Sequence, residues 1–439
     1  MASGTFTIFG LSFLALLLAG YWAQQLLPPP KPKIVGIDLG TTYSCIGIYH
    51  AVSGDTEILR NEGGQQCIPS VVAFKEGKIL VGQAAVDQAE HNPHNTIYDA
   101  KRFIGKHFSR EEFEDEKARY PFKLSLNHDG LVEFLVGHPD NITRVTPEFI
   151  GSRVLTSLAH TAQNSLNNVV KKAVMSVPAE FNEEKRNSTK NAAKLAGIEV
   201  LRVISEPTAA AMAYGLHKKV GVRNVMVVDL GGGTLDVSLL LVQGGMFLTQ
   251  AMAGNNHLGG QDFNQRLMAY LEEEIFEEFG KPLVESHDRQ ALRLITENIK
   301  LNLTKHEKAT VSLKLHLSPH PVNHMQPVLF THVVTREMFV KLNADLLLKV
   351  LEPIKHVLED TEQSPDDIDE VVLVGGSTRM PEVRKLIRNF FQKDPNISID
   401  PELAVVSGVS IQAGILGGAW PLLVSAVELP SSANKAHLH

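Results

Sequence analysis

Cysteine is nearly missing from this chain: Cys45 and Cys67 are the only two among 439 residues. Two thiols cannot build the disulfide framework of a small secreted domain. Each lies in a strand-like apolar stretch, so the expectation is two buried free thiols, which leave the redox compartment open. A basic balance is missing too. The formal net charge is −7, which excludes a generic nucleic-acid binder, because phosphate binding calls for a basic surface. It does not exclude a nucleotide held by local groups. No Lys or Arg precedes Lys31, and the final residues, KAHLH, are not an ER-retention signal.

A long apolar run is present at the N-terminus. Thr5 to Leu27 is densest in apolar residues from Phe6 to Leu18. That core has the length of a signal-peptide h-region, and the whole run is nearly long enough to span a bilayer. Pro28 to Pro30 separate it from the rest of the chain. Residues 1–27 are therefore expected to be a hydrophobic leader, a secretory signal in preference to an anchor, with residues 28–32 as a Pro-rich linker. Against the secretory reading, cleavage after Ala23 would put Tyr21 at minus three, and Lys31 and Lys33 favour the reverse orientation. Membrane contact would come only through an uncleaved leader.

The remainder alternates strand-like and helix-like segments, an α/β pattern long enough for two lobes sharing a cleft. Its most informative feature is an internal echo. Residues 34–49, IVGIDLGTTYSCIGIY, and 225–240, VMVVDLGGGTLDVSLL, share one plan: apolar strand, Asp-Leu-Gly, Gly/Thr turn, apolar strand. AVMSVPAEF (173–181) and VVLVGGSTRM (371–380) form a second pair in the same order. Two similar lobes facing one cleft are the implied plan. Glycine in each turn would allow φ > 0 and aim successive N–H groups at one spot, the way phosphate is cradled. Gly40, Thr41 and Thr42 would do so in one lobe, and Gly231, Gly232, Gly233 and Thr234 in the other. Asp38 and Asp229 end the strands before these turns. Buried carboxylates there need a partner, and one from each lobe suits a hydrated Mg²⁺. Asp236 comes next as a third.

GIDLGTTYS, DAKRFIG, VPAEFNEEKRNST, EPTAAAMAYGL, VVDLGGGTLDVSLL, GGQDFN and VGGSTRMP occur in this order. Together they resemble the ATPase domain of the seventy-kilodalton heat-shock protein family over residues 33–418. The resemblance implies an actin-like ATPase fold, with ribonuclease H-like duplicated lobes and four subdomains around a nucleotide cleft. Lobe one would be 33–216 plus the helix near 403–418, and lobe two 217–402. It also implies an ATPase binding ATP or ADP with Mg²⁺ and a monovalent cation such as K⁺.

Matched motif by motif, Asp38, Thr41, Thr42 and Tyr43 resemble the first phosphate loop and Gly231 to Thr234 the second. Lys101 resembles the lysine that orients the attacking water and γ-phosphate. Glu206 resembles the carboxylate that positions water or metal, and Thr234 the hydroxyl at the γ-phosphate. Asp229 and Asp236 resemble the partners of Mg²⁺ and monovalent cations. Gly259, Gly260, Glu297, Lys300, Thr304, Gly375, Gly376, Ser377 and Arg379 match the adenosine pocket. Pro178 and Arg186 sit where the family couples nucleotide state to lobe rotation, and Arg202 where J-domain co-chaperones make contact. Nucleotide-exchange proteins are a further implied partner class.

Two positions depart from the family pattern. Leu301 stands where an arginine normally packs on adenine, and Glu402 where an aspartate is usual. After Gly418 the chain reads AWPLLVSAVELPSSANKAHLH, too short for the family's peptide-binding β-sandwich. Residues 419–439 are expected to be a tail, with PLLVSAV a vestigial linker strand or frayed, and turnover is expected not to answer peptide clients. The family's microsomal members place such a chain in the endoplasmic reticulum lumen or secretory pathway. A nucleotide-gated binding module with negligible turnover is the competing class, favoured by Leu301. A small-molecule kinase is disfavoured by VPAEF and EPTAAAMAYGL. Of four N-x-Ser/Thr sequons, Asn141 is the expected glycan acceptor, and Asn187, Asn302 and Asn396 are the others.

Overall fold

The computed structural model describes residues 15, 19–20, 32–138, 140–284, 286–316, 327–418, 427–429 and 433–438. Most of the leader, its linker and PLLVSAV lie outside the described residues. Among the described residues no helix is long and apolar enough to cross a membrane.

Each echoed pair of segments builds the centre of one sheet. Val35–Leu39 runs antiparallel to Tyr43–Tyr49 and parallel to Lys172–Val177, which in turn pairs parallel with Glu199–Ser205. The second sheet repeats this. Asn224–Leu230 is antiparallel to Leu235–Gln243 and parallel to Glu370–Val374, and Met246–Asn255 extends it on the far side. The central strands are apolar on both faces and almost wholly buried, the pattern expected where helices cover a sheet on both sides.

Those helices sit between the sheets as well as outside them. Ala404–Leu416 and Glu206–Ala213 are rich in small residues and contribute to a shared core with Val174, Val225, Val227 and Val372. Gly408 allows the closest approach: a Cβ there would lie 1.8 Å from the Ala209 carbonyl oxygen. Each lobe also has its own core on the outer side, one including Pro147–Leu166 and the other Gly260–Phe279. This is the actin-like arrangement, two duplicated sheets hinged over a common core with the hairpin turns facing one cleft.

The cysteine expectation is overturned. Cys67–Pro69 pairs antiparallel with Tyr43–Tyr49, which sets Cys67 opposite Cys45 at a Cα separation of 4.4 Å, and the two form a disulfide. A three-residue strand without its own alternation gives no sign of that register beforehand.

Part of the expected tail is built into the second sheet. Val427–Glu428 and Lys435–His437 each add parallel to Met246–Asn255.

Candidate nucleotide cleft

The two hairpin turns face each other across a cleft of about 1770 Å³. The first is held from behind by Ser70, whose hydroxyl donates to the Gly40 carbonyl at 2.8 Å and whose N–H donates to the Thr42 carbonyl at 2.8 Å. In the second, the Gly231 carbonyl accepts from Gly260 N–H at 3.0 Å and from Ser377 Oγ at 2.8 Å, and the Gly232 carbonyl accepts from Gln261 N–H at 2.7 Å. The Gly233 carbonyl accepts from Arg102 Nη2 at 2.7 Å. An anion entering the cleft therefore meets a turn whose acceptors are already engaged.

The expectation of φ > 0 at the turn glycines is overturned. Gly40, Gly231, Gly232 and Gly233 all have negative or extended φ. Proximity demands Gly40, Gly232 and Gly233 instead, whereas a Cβ on Gly231 would meet nothing closer than 3.9 Å. A Cβ on Gly232 would lie 1.9 Å from Thr42 Oγ1 in the other lobe, and one on Gly233 would lie 1.7 Å from Arg102 Nη2. Left-handed backbone is required at Gly375, where φ is 83° and a Cβ would lie 2.3 Å from the Leu230 carbonyl oxygen.

At the floor, Lys101 Nζ lies 2.6 Å from Glu206 Oε1, with both side chains largely buried. Ser176 Oγ donates to Asp38 Oδ1 at 2.7 Å. Asp229 and Asp236 are direct cross-strand partners, two carboxylates on one rung of the ladder. Burial pushes Glu206 up to about 7, against the pull of Lys101. Burial also holds Asp229 well above the usual carboxylate range, with the like charges of Glu206, Asp236 and Asp38 adding to it. Asp38 is raised by burial and partly restored by Lys101. Burial opposes the Lys101 ammonium, yet Glu206 and Asp38 outweigh it and hold its pKa above the ordinary value.

Asp236 lines the cleft but is already paired. Lys435, from the C-terminal strand, places Nζ 2.7 Å from Asp236 Oδ1, 3.2 Å from Glu180 Oε2 and 3.1 Å from Asn256 Oδ1. The Lys435 side chain is 3 % exposed, and the absence of a Cβ at Gly254 lets it pass. From the same segment, Glu428 Oε2 accepts from Ser205 N–H at 3.1 Å. Both contacts reach the first lobe from strands laid on the second.

The adenosine-side residues come from Ser286–Lys305 and the turn after Glu370–Val374. Glu297 accepts from Asn264 Nδ2 at 2.5 Å and pairs with Lys300 at 2.9 Å. Burial works against the Glu297 carboxylate, but Lys300 and Asn264 more than offset it and hold it below the usual range. Thr304, Gly375, Gly376, Ser377 and Arg379 line the same wall, and Arg379 pairs with Glu402 at 2.9 Å and with Asp400. Leu301 is 48 % exposed on this wall.

Gly259 and Gly260 are not part of the lining. They lie behind the second turn: a Cβ on Gly259 would be 2.4 Å from Gly233 N, and the Gly260 carbonyl accepts from Lys300 Nζ at 3.0 Å. The other named cleft residues, from Asp38 to Arg379, all line it. Pro178 is also at the wall, Arg186 bonds the Phe181 carbonyl through Nε at 2.8 Å, and Arg202 is exposed on an edge strand.

Sequence reasoning missed Arg102, Ser176 and the Lys435–Glu180 pair. Arg102 crosses the cleft to the Gly233 and Asn256 carbonyls, at 2.7 and 2.8 Å. Its place beside Lys101 gave no signal beyond a second charge.

The family model described as Hsp70 protein matches residues 34–429. The chain belongs to the 70-kDa heat-shock protein family. Two similar relatives are both named heat shock 70 kDa protein 13. The one from Rattus norvegicus is 51% identical over 464 residues, covering 98% of each chain. The one from Homo sapiens is 51% identical over 460 residues, covering 97% of each. A heat shock 70 kDa protein of Emericella nidulans is 42% identical over 385 residues, which is 88% of this chain and 58% of that protein. The family is one of nucleotide-binding, chaperone-type proteins. Its members are ATPases that bind ATP or ADP with Mg²⁺ and typically work with J-domain and exchange-factor partners.

The residues present fit Mg²⁺. Four carboxylates gather at the cleft floor, and burial displaces three of them upward. Thr42 Oγ1 is buried with no partner among the described residues. Hard oxygen donors of this kind suit a hydrated divalent cation.

Proposed function

We propose that this chain is a Mg²⁺-dependent ATPase, carried above all by the Lys101–Glu206 pair set between two phosphate-cradling turns. Asp38 and Asp229 would hold the ion through water, and the ion would supply neutralisation of the phosphate charge. The two turns bind the phosphate chain from both lobes. Thr234 donates to the γ-phosphate, while Lys101 aligns the attacking water and Glu206 accepts from it. Hydrolysis of this kind needs positioning and charge more than a covalent intermediate. K⁺ would accompany the phosphates, with Lys435 already meeting Asp236. No step of this mechanism involves a peptide client.

The proposal places the chain in the lumen of the endoplasmic reticulum or secretory pathway. The Cys45–Cys67 disulfide supports this, since such bonds persist in oxidising compartments. The exposed Arg202 is the proposed J-domain contact.

The test is single-turnover hydrolysis and Mg·ADP calorimetry from pH 6 to 8. Glu206 sits at about 7 without ligand, so it is largely protonated at the acid end and ionised at the alkaline end. Only the ionised form favours the cation, so binding releases protons and affinity rises with pH, by up to about tenfold per unit for each proton released. Turnover is expected to stop in chelator. Flat affinity across this range, with equal heats in buffers of different ionisation enthalpy, would show the carboxylates already charged and refute the role given to Glu206.

Leu301 favours the second reading, a nucleotide-gated module with slow turnover. A guanidinium over adenine is worth about 1–2 kcal/mol, so Leu301→Arg is expected to tighten ADP binding about tenfold. No gain by calorimetry would mean that the base does not lie over this position.

A further inference from the structure

At the outer end of the cleft, away from the phosphate turns, a second group of chemistry-bearing side chains comes together. His287 and Asp288 open the helix Ser286–Lys305, and His316 comes directly after the strand Lys308–Leu315. Asp288 Oδ1 lies 3.3 Å from His287 Nδ1 and 3.3 Å from His316 Nδ1. Its other oxygen accepts from the His316 N–H at 2.7 Å, which fixes the carboxylate, and the side chain is 1 % exposed. The far nitrogen of His287, Nε2, lies 2.8 Å from Glu90 Oε1, and the ring meets His91 edge-on with centroids 5.0 Å apart.

We propose that His287 Nδ1, Asp288 Oδ1 and His316 Nδ1 form a binding site for a zinc-type divalent ion, separate from the nucleotide cations. The spacing suits a metal as well as hydrogen bonds. Ligand atoms about 2.0–2.1 Å from a tetrahedral ion are separated by about 3.3 Å. Imidazole N–H donors to a carboxylate more often sit at about 2.7–3.2 Å. Two imidazoles and one carboxylate are borderline donors that select zinc-like ions over Mg²⁺ or Ca²⁺, with a fourth position left for water. The buried, doubly held Asp288 provides a preset oxygen, and the half-exposed His316 provides the way in.

The arrangement also says what the ion would do. An ion on Nδ1 leaves His287 with its proton on Nε2, facing Glu90. This is the carboxylate–histidine–metal relay that orients a ligand and strengthens its bond. Glu90 belongs to the short turn Ala89–His91, which packs against the helix from across the cleft mouth, where Arg293 also lies over Tyr98 at 4.6 Å. Metal on the second lobe thus tightens a clasp to the first and slows escape of nucleotide. That last consequence rests on the proposed nucleotide binding; the metal site does not.

Nucleotide-free, untagged full chain is titrated with zinc sulfate by calorimetry. One ion per chain is expected, with affinity weakened beyond about 100-fold in His287→Asn and in His316→Asn and about tenfold in Glu90→Gln. No saturable binding, or binding unchanged in both histidine variants, overturns the site. So does loss of binding in His91→Asn with His316→Asn unaffected, which would move the ion to the Glu90 side. Folding of each variant is checked by its thermal midpoint and by ADP binding in Mg²⁺. Release of a fluorescent ADP analogue is then measured with and without zinc. Several-fold slower release in the wild type but not in Glu90→Gln is expected. Zinc bound with release unchanged overturns the clasp while leaving the site. Failure of the wild type to bind ADP at all would strike the nucleotide reading and not this one.

Discussion

Lys101→Ala is expected to slow single-turnover ATP hydrolysis by about 100- to 1,000-fold, the usual loss for a preorganised charge at a reacting centre. ADP affinity should move only a few-fold, because the turns and the adenosine wall remain. The side chain is almost buried, 2.6 Å from Glu206, with Asp38 and Asp229 nearby. Removing its charge leaves three carboxylates facing one another. The fold survives because a carboxyl already at about 7 takes up a proton instead of standing as an unpaired charge. Retained Mg·ADP binding and a thermal midpoint near that of the parent show that the variant is intact. A wild-type rate in that intact variant would remove Lys101 from the mechanism.

Lys435→Met is expected to have the second largest effect, on stability and lobe coupling. Lys435 is 3 % exposed and joins Glu180 of one lobe to Asp236 of the other, at 3.2 and 2.7 Å. Truncating one partner of a buried pair costs about 3–5 kcal/mol where no water can reach the remaining charges. Asp236 is 28 % exposed here, so part of that cost is recovered by solvent, and about 2 kcal/mol is the expected loss in urea unfolding. Packing loss alone would not free the rest of the segment. The specific readout is hydrogen exchange. The Ser205 amide, which donates to Glu428 Oε2 at 3.1 Å, and the amides of Lys435–His437 should lose protection, while Val35–Leu39 should keep it. Unchanged exchange at Ser205 would mean that the strands dock without the lysine.

Legibility in the sequence depends on how local each feature is. The echo of IVGIDLG and VMVVDLG revealed the duplicated sheets because a strand, a turn and a return strand are contiguous in sequence, and the second echo supplied the parallel neighbour in each lobe. Most of the cleft was legible for the same reason: its glycines and acids stand at strand ends. What stayed hidden depends on distant register. The Cys45–Cys67 bond needs strands 22 positions apart to meet in one register. Arg102 reads as a neighbour of Lys101 until its carbonyl partners at Gly233 and Asn256 are known. Lys435 lies 199 residues from Asp236, in a stretch whose composition suggests only a tail. Gly232 and Gly233 were read correctly as necessary and wrongly as conformational. A Cβ there fails through contact with Thr42 and Arg102, not through backbone sign.

Met246–Asn255 would be the outermost strand of its sheet were it not for Val427–Glu428 and Lys435–His437. An outer strand presents a row of N–H and C=O groups that invites pairing with any extended chain. Here the protein's own segment already occupies part of that row. A tethered occupant competes at an effective concentration of about millimolar. An extended peptide or a strand from another molecule that reached this rail would first have to pull Lys435 off Asp236 and Glu180, so recruitment at this edge and loosening of the two lobes are one event.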